Sequence, residues 1–447
     1  MNSAVRPMLE GPIVATLLRL AWPSLIVLVV QTLVGVAETY YVGYLGTETL
    51  AGVVLVFPVL MLMQTMSNGG IGGGVSSAVA RALGADRQAD AEALVYHSLV
   101  LAIILGAVFM VAVIALGTPI YTLLGGRGPM MDSALTYSNL VFVASIPLWI
   151  TALMGSALRG QGNVKFPAKM SLIGSMITVV LSPGLIFGLK MGVAGAGTAI
   201  ILYYIGTSAV LLRYVAKKSA IKLRVVPLEW RLFKQILSVG GLSAWSTVQS
   251  NLTVALVTAA VSRLGTAAVA GYGVAARLDY LLIPLLFGLG TATVPMVAAN
   301  TGAGNRVRAY RITWVAAALG AAVTEVIGLV AAVFPANWIG IFSTDPTVLE
   351  IGTHYLHVVA PFYGFFGLAM MLYFAAQGAN RIFWPVMGGT ARLVIAGLGG
   401  WAAVTYWDAD LSTLFAIVAF ATVLFALVAA AAMARLRKPV AAQAATA

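Results

Sequence analysis

Long apolar runs alternate with short polar breaks along almost the whole chain, and Gly, Pro or charged residues mark each break. A helix needs about 20 apolar residues to cross the hydrocarbon core of a bilayer. Twelve stretches reach that length: 13–42, 48–80, 93–116, 133–157, 166–187, 191–214, 233–262, 267–299, 309–333, 349–376, 383–405 and 410–434. Several exceed the minimum, which predicts tilt, bends or extension beyond the bilayer. The pattern therefore predicts an all-α membrane protein with twelve transmembrane helices.

The apolar pattern also repeats. Leu45-Gly46-Thr47 returns as Leu264-Gly265-Thr266, and Ala51-Gly52 returns as Ala270-Gly271 in the same register. Gly84-Ala85, Gly160, Pro167 and Gln31 return as Gly302-Ala303, Gly378, Pro385 and Gln249 at nearly the same offset. Single matches are cheap in a chain rich in Gly and Ala, but one register held over separate landmarks indicates two copies of a six-helix unit. The expected division is an N-terminal lobe at 1–214, a basic linker at 215–232 and a C-terminal lobe at 233–447. An even number of spans per copy leaves the copies parallel, related by an axis along the membrane normal. Two such pseudo-symmetric six-helix bundles around a central cleft form an architecture for alternating access.

Composition agrees with lipid as the solvent. Only 9% of residues are charged and 61% are apolar, where a soluble domain carries roughly 25% charge. Mean hydropathy is +0.97. The net charge of +12 would suit nucleic acid, but its distribution does not. Of the 26 Lys and Arg, 21 fall at the termini and in alternate loops, while only Arg127, Lys190 and Arg263 fall in the others. That asymmetry is the positive-inside pattern, and it predicts a multi-pass inner (cell) membrane protein with both termini cytoplasmic. The N-terminal residues show no cleavable leader pattern. With no cysteine and three scattered histidines (His97, His354, His357), neither disulfides nor a metal site is expected.

The run Leu20-Ala21-Trp22-Pro23 and the later Glu38-Thr39-Tyr40-Tyr41-Val42-Gly43-Tyr44-Leu45-Gly46 resemble the first helix of multidrug and toxic compound extrusion (MATE) transporters. Ala157-Leu158-Arg159-Gly160-Gln161-Gly162-Asn163 and Gly302-Ala303-Gly304-Asn305 resemble family motifs in the same order and spacing. The resemblance covers essentially the whole chain and is nearest the DinF-like subgroup. It implies a secondary antiporter exporting cationic or amphipathic small molecules, without a cofactor, driven by protons or sodium.

Only three acids, Glu38, Asp279 and Glu325, fall inside the predicted spans away from their first two residues, where Glu48, Glu350 and Asp410 stand. A charge at membrane depth costs roughly 2.5–3.5 kcal/mol on insertion scales, and desolvation favours the protonated form of a carboxyl group. A lone membrane carboxyl thus has the property that proton coupling needs. Glu38 precedes the Gly43 turn by five residues, about 8 Å of helix. Gln31 and Tyr41 share its face, and Pro23 is expected to bend the helix. The resemblance implies that Pro23, Gln31 and Glu38 occupy a pattern of Pro, Gln and Asp, making Glu38 the ion-coupling residue. It also points to the fifth helix, where Thr178 and Ser182 stand before Pro183 in place of the family's Asn and Asp. Losing that second carboxylate disfavours a sodium site, since a hard cation wants several charged oxygen ligands. The coupling ion is therefore expected to be the proton, with sodium as the alternative.

The second copy carries Leu256 or Val257 where Glu38 would recur. Gln249, Arg277 and Asp279 are the polar positions expected at a substrate cavity there. Arg277 and Asp279 are two residues apart, so their side chains diverge on a helix. Glu325 reads as a packing or interfacial residue. The run Gly69-Gly70-Ile71-Gly72-Gly73-Gly74 lacks the Gly-Lys-Ser/Thr ending of a phosphate loop and reads as close helix packing. Two competing functions remain. A flippase for lipid-linked precursors would need a more cationic cavity, and a membrane prenyl transferase would need clustered Asp for magnesium. Small molecules, organic cations first, are the expected partners, and a monomer suffices because both lobes lie in one chain.

Overall fold

The computed structural model describes residues 5–437, folded into helices with no strand among them. Lys438, one of the charges expected on the inner side, and both chain ends lie outside the described residues. Each of the twelve expected spans has a helical counterpart. The first six are α1 (Ile13–Gly43), α2 (Thr47–Gly84), α3 (Gln88–Leu123), α4 (Gly128–Val143 with Ser145–Gly160), α5 (Lys165–Gly188) and α6 (Val193–Lys217). The second six begin with α7 (Trp230–Ser262), α8 (Thr266–Gly302), α9 (Arg306–Val333) and α10 (Pro346–Ala379). They end with α11, a chain of Phe383–Arg392, Leu393–Gly399 and Gly400–Tyr406, and with α12 (Leu411–Ala434).

Nine of these pass as spans on length and apolarity, and α4, bent by 47° between its two parts, makes a tenth. The remaining two are α7, which carries Ser243, Ser246, Thr247, Gln249, Ser250 and Asn251 along its middle, and the segmented α11. Helix is the form such a chain must take, because lipid offers no hydrogen bonds to an open backbone. Local departures follow the sequence. A π-turn at Gly184–Gly188 follows Pro183 directly, as expected where proline removes a backbone donor. A second π-turn at Met66–Ile71 leads into the glycines of α2. There a Cβ on Gly72 would lie 2.6 Å from the Ser156 hydroxyl, so the Gly-rich run serves close packing, as its composition predicts.

The chain divides into two compact units, residues 1–6 with 22–240 and residues 7–21 with 241–447. The break falls inside α7 at Gly240–Gly241 and beyond the basic linker, and the opening of α1 groups with the second unit. Pro23 lies next to the point in α1 where that grouping changes, and α1 continues through it as one helix rather than breaking.

The repeat is plain in the backbone. Residues with positive φ recur at equivalent places: Gly46 with Gly265, Asp86 with Gly304, Gly162 with Asn380, and Lys190 with Asp408. Glycine contacts recur too. A Cβ on Gly160 would lie 2.7 Å from the Ser76 carbonyl, and one on Gly378 would lie 2.6 Å from the Val294 carbonyl. Gly52 approaches Met130 and Ser133 in one unit, while Gly271 approaches Val348 and Ile351 in the other. In both units, small residues let the second and fourth, or the eighth and tenth, helices touch at backbone distance.

Candidate functional site

In the first unit, α1 presents Gln31 and Glu38 toward a group of tyrosines. The Glu38 side chain is half-buried. Its carboxyl lies close enough to Tyr137 on α4 and Tyr204 on α6 for its charge to act on both hydroxyls. Among the described residues no hydrogen bond or ion pair holds that carboxyl. Gln64 on α2 donates from Nε2 to the Tyr204 hydroxyl at 3.3 Å. The adjacent Tyr203 hydroxyl lies close to Gln31 and to Ser171 and Ser175 on α5. Tyr137 is buried at 6% exposure beside Ser138, whose hydroxyl is 2.6 Å from that of Tyr121. A membrane carboxyl near two tyrosine hydroxyls, with no fixed partner, can take up and release a proton without breaking a salt bridge.

The fifth-helix positions lie apart from that group in their bonding. The Thr178 hydroxyl donates back to the Gly174 carbonyl at 2.9 Å, a bond internal to its helix. Ser182 is fully buried and its oxygen has no partner. Tyr41 packs edge-on against Tyr40 at 6.3 Å, and the Tyr40 hydroxyl is 2.7 Å from that of Tyr44. Tyr137, Tyr203, Tyr204 and Gln64 were not singled out in the sequence. Their one visible signal is the Tyr203-Tyr204 pair inside an otherwise apolar helix.

In the second unit, Asp279 on α8 is held differently. The Tyr355 hydroxyl donates to one carboxyl oxygen at 2.7 Å, and the Tyr363 hydroxyl donates to the other. Arg392 on α11 lies near enough to feel the carboxylate's charge. It makes no ion pair within 4 Å and instead covers the Phe366 ring at 5.3 Å, leaving its Nε buried and unpartnered. Arg277 turns away from Asp279, as the two-residue spacing predicts, and sits over Phe342 at 4.9 Å. Gln249 is buried, donating to the Thr390 hydroxyl while its own carbonyl oxygen stays unpartnered. It thus packs between α7 and α11. The Glu325 carboxylate accepts the Gly364 N–H at 2.6 Å, tying α9 to the break inside α10, which fits the packing role expected for it.

Two of the histidines take bonding roles within the fold. His354 Nε2 lies 2.8 Å from the Ser412 hydroxyl, and His97 bridges Ala93 and Glu229. Tyr406 and Trp407 are exposed at the end of α11, where aromatic side chains anchor a helix at the bilayer surface.

Comparison with known proteins covers nearly the whole chain. The family model described as MatE matches residues 23–183 and 244–399, one block in each repeat. An FAD transporter from Shewanella oneidensis is 25% identical over 425 residues, 92% of either chain. A probable multidrug resistance protein NorM from Thermotoga maritima is 26% identical over 395 residues, 85% of this chain and 84% of that one. Among solved structures, a MATE protein in the bent conformation superposes with a TM-score of 0.90 at 24% identity, covering 98% of this chain and 99% of that one. A MOP superfamily transporter from Pyrococcus furiosus, described as having a binding pocket of reverse polarity, gives 0.89 at 23%, covering 98% and 100%.

Proposed function

The chain belongs to the MatE family, and from that premise we propose that it is a proton-driven antiporter, exporting cationic or amphipathic small molecules by alternating access. In this reading it lies in the inner membrane with both termini in the cytoplasm, and Glu38 is the coupling residue. One observation carries the coupling: Glu38 is a membrane carboxyl faced by the Tyr137 and Tyr204 hydroxyls and bound by no counter-charge. A proton arriving from outside neutralises it, and its release inward resets it. The fifth helix offers only the neutral hydroxyls of Thr178 and Ser182 there, which supports proton over sodium, since a hard cation wants several charged oxygen ligands. Relatives named as multidrug resistance and export proteins support the export reading.

The test uses purified protein in proteoliposomes, an imposed pH gradient without sodium, and ethidium as the fluorescent cargo. Wild type is expected to move the dye and Glu38→Gln, which keeps the shape but cannot exchange a proton, is expected not to. Equal transport by the two would overturn the assignment.

A second reading of the cargo is favoured by Arg392, whose guanidinium is buried beside aromatic rings with Nε free. On that reading the cargo carries an anionic group, which a relative named as an FAD transporter supports. In the same vesicles, FAD would then compete with the dye in wild type and lose that effect in Arg392→Gln.

A further inference from the structure

The loop that joins the two six-helix repeats is strapped along α3. Gln88 donates to the Ala220 carbonyl at 3.1 Å, Arg224 pairs with Glu92 at 3.4 Å, and Arg231 pairs with Asp90 at 3.2 Å. The Ser219 hydroxyl donates to Gln161 at 2.7 Å and accepts the Ile221 N–H at 3.3 Å. His97 closes the strap. It is fully buried, with Nδ1 2.7 Å from the Ala93 carbonyl and Nε2 2.9 Å from the backbone nitrogen of Glu229. Phe233 packs edge-on against its ring at 4.7 Å, and Leu232 and Ile236 are fully buried.

This geometry leaves one protonation state. A carbonyl only accepts and a backbone N–H only donates, so the ring carries its hydrogen on Nδ1 and presents Nε2 as a bare acceptor. The Glu229 N–H stands just ahead of α7, where a helix offers its leading donors no acceptor of its own. His97 supplies that acceptor. The 36 residues of α3 span about 54 Å at 1.5 Å each, well beyond the roughly 30 Å of a hydrocarbon core. The opening of the helix from Gln88 to Glu92 precedes the span expected at 93–116, and His97 stands about one turn inside it on the side proposed as cytoplasmic.

We propose that His97 is a proton-operated latch: protonation of Nε2 sets a donor against the Glu229 N–H and frees the inter-repeat loop from α3. α7 runs on from this loop and passes into the second unit at Gly241, so the latch fixes the start of a helix that both units share. Acidification of the cytoplasmic face releases it. Tyr96 and the Glu229 backbone touch the ring, and the charged groups on the same elements are Arg87, Asp90 and Glu92 at the start of α3, Arg224 and Glu229 in the loop, and Arg231 and Lys234 on α7. A step from pH 7.5 to 5.5 is the test, with substitutions of His97 reporting whether it acts through that ring.

The experiment is hydrogen exchange by mass spectrometry on the purified full-length protein, with protection in 218–232 expressed relative to the unfolded rate at each pH. Wild type is expected to lose about tenfold in protection on going to pH 5.5, the scale of one buried hydrogen bond. His97→Gln places an uncharged acceptor where Nε2 stands and is expected to stay protected at both values. His97→Phe fills the space without an acceptor and is expected to be unprotected at both. Unchanged wild-type protection across the step overturns the latch, and so does an equal loss in His97→Gln. The readout needs no transport, so a failure of the antiport reading leaves it separately testable.

Discussion

Glu38 in the first repeat and Asp279 in the second both lie within helices, and they live in opposite circumstances. Glu38 in the first has the hydroxyls of Tyr137 and Tyr204 nearby and no bond holding it. Asp279 in the second accepts both Tyr355 and Tyr363 and has Arg392 beside it. The backbones around them remain twins, down to matching glycine contacts at Gly160 and Gly378. The two repeats share the frame, where packing demands it, and differ in the polar interior. A carboxyl fixed by two donors contributes to the rigidity of its unit. One left unfixed can change its protonation at small structural cost.

The sharpest way to break this comparison is to neutralise each acid in turn. Glu38→Gln is expected to abolish dye transport under a pH gradient while leaving the melting temperature nearly unchanged. Asp279→Asn is expected to retain gradient-driven transport but to lose stability. Two hydrogen bonds to a charged acceptor become neutral ones there, at about 1.5–3 kcal/mol for each charged bond at most. Thermal unfolding in detergent, read beside the vesicle assay, decides it. A stable but inactive Asp279→Asn would reverse the roles assigned to the two repeats.

A smaller effect tests the shared frame. Gly160→Ala and Gly378→Ala each force a methyl against a backbone carbonyl, at 2.7 and 2.6 Å. Overpacking of this kind costs about 1–3 kcal/mol. The two substitutions are expected to lower the melting temperature by similar amounts, and a large difference would mean that the repeats have diverged in packing as well as in chemistry.

The helices were legible because a membrane span is a constraint on composition, and all twelve expected stretches find helical counterparts. The acids were legible for the same reason, Glu38 as an isolated charge in an apolar run and Asp279 as one of two charges close together in another. The tyrosines around Glu38 were not, because a tyrosine in an apolar helix looks like packing until its hydroxyl finds a partner. Gln249 shows the converse. It shares its register with Gln31, yet Gln31 lies close to Tyr203 while Gln249 bonds Thr390, because a repeat in sequence fixes the backbone position and not the neighbours. The bend inside α4, and the break in contacts at Gly240–Gly241 beyond the basic linker, come from how helices pack and left no mark in hydropathy.

The finest test concerns turns that the repeat hides from sequence comparison. Gly162 has φ of 82° and its counterpart Asn380 has φ of 56°, so both lie in the left-handed region under different residue names. Asparagine tolerates that region, whereas a residue with an ordinary Cβ costs about 1–2 kcal/mol there. The structure of one repeat therefore predicts the allowed substitute in the other. Gly162→Asn is expected to change stability by less than about 0.5 kcal/mol, and Gly162→Ala to lower it by about 1 kcal/mol. The reverse exchange, Asn380→Gly, removes the side chain and adds freedom to the unfolded chain, so the two effects nearly cancel. Matched melting curves for the three variants would show whether the turn is set by its backbone angle, as the pairing implies. A Gly162→Asn as damaging as Gly162→Ala would mean that the space around the Gly162 turn, and not its angle, selects the residue.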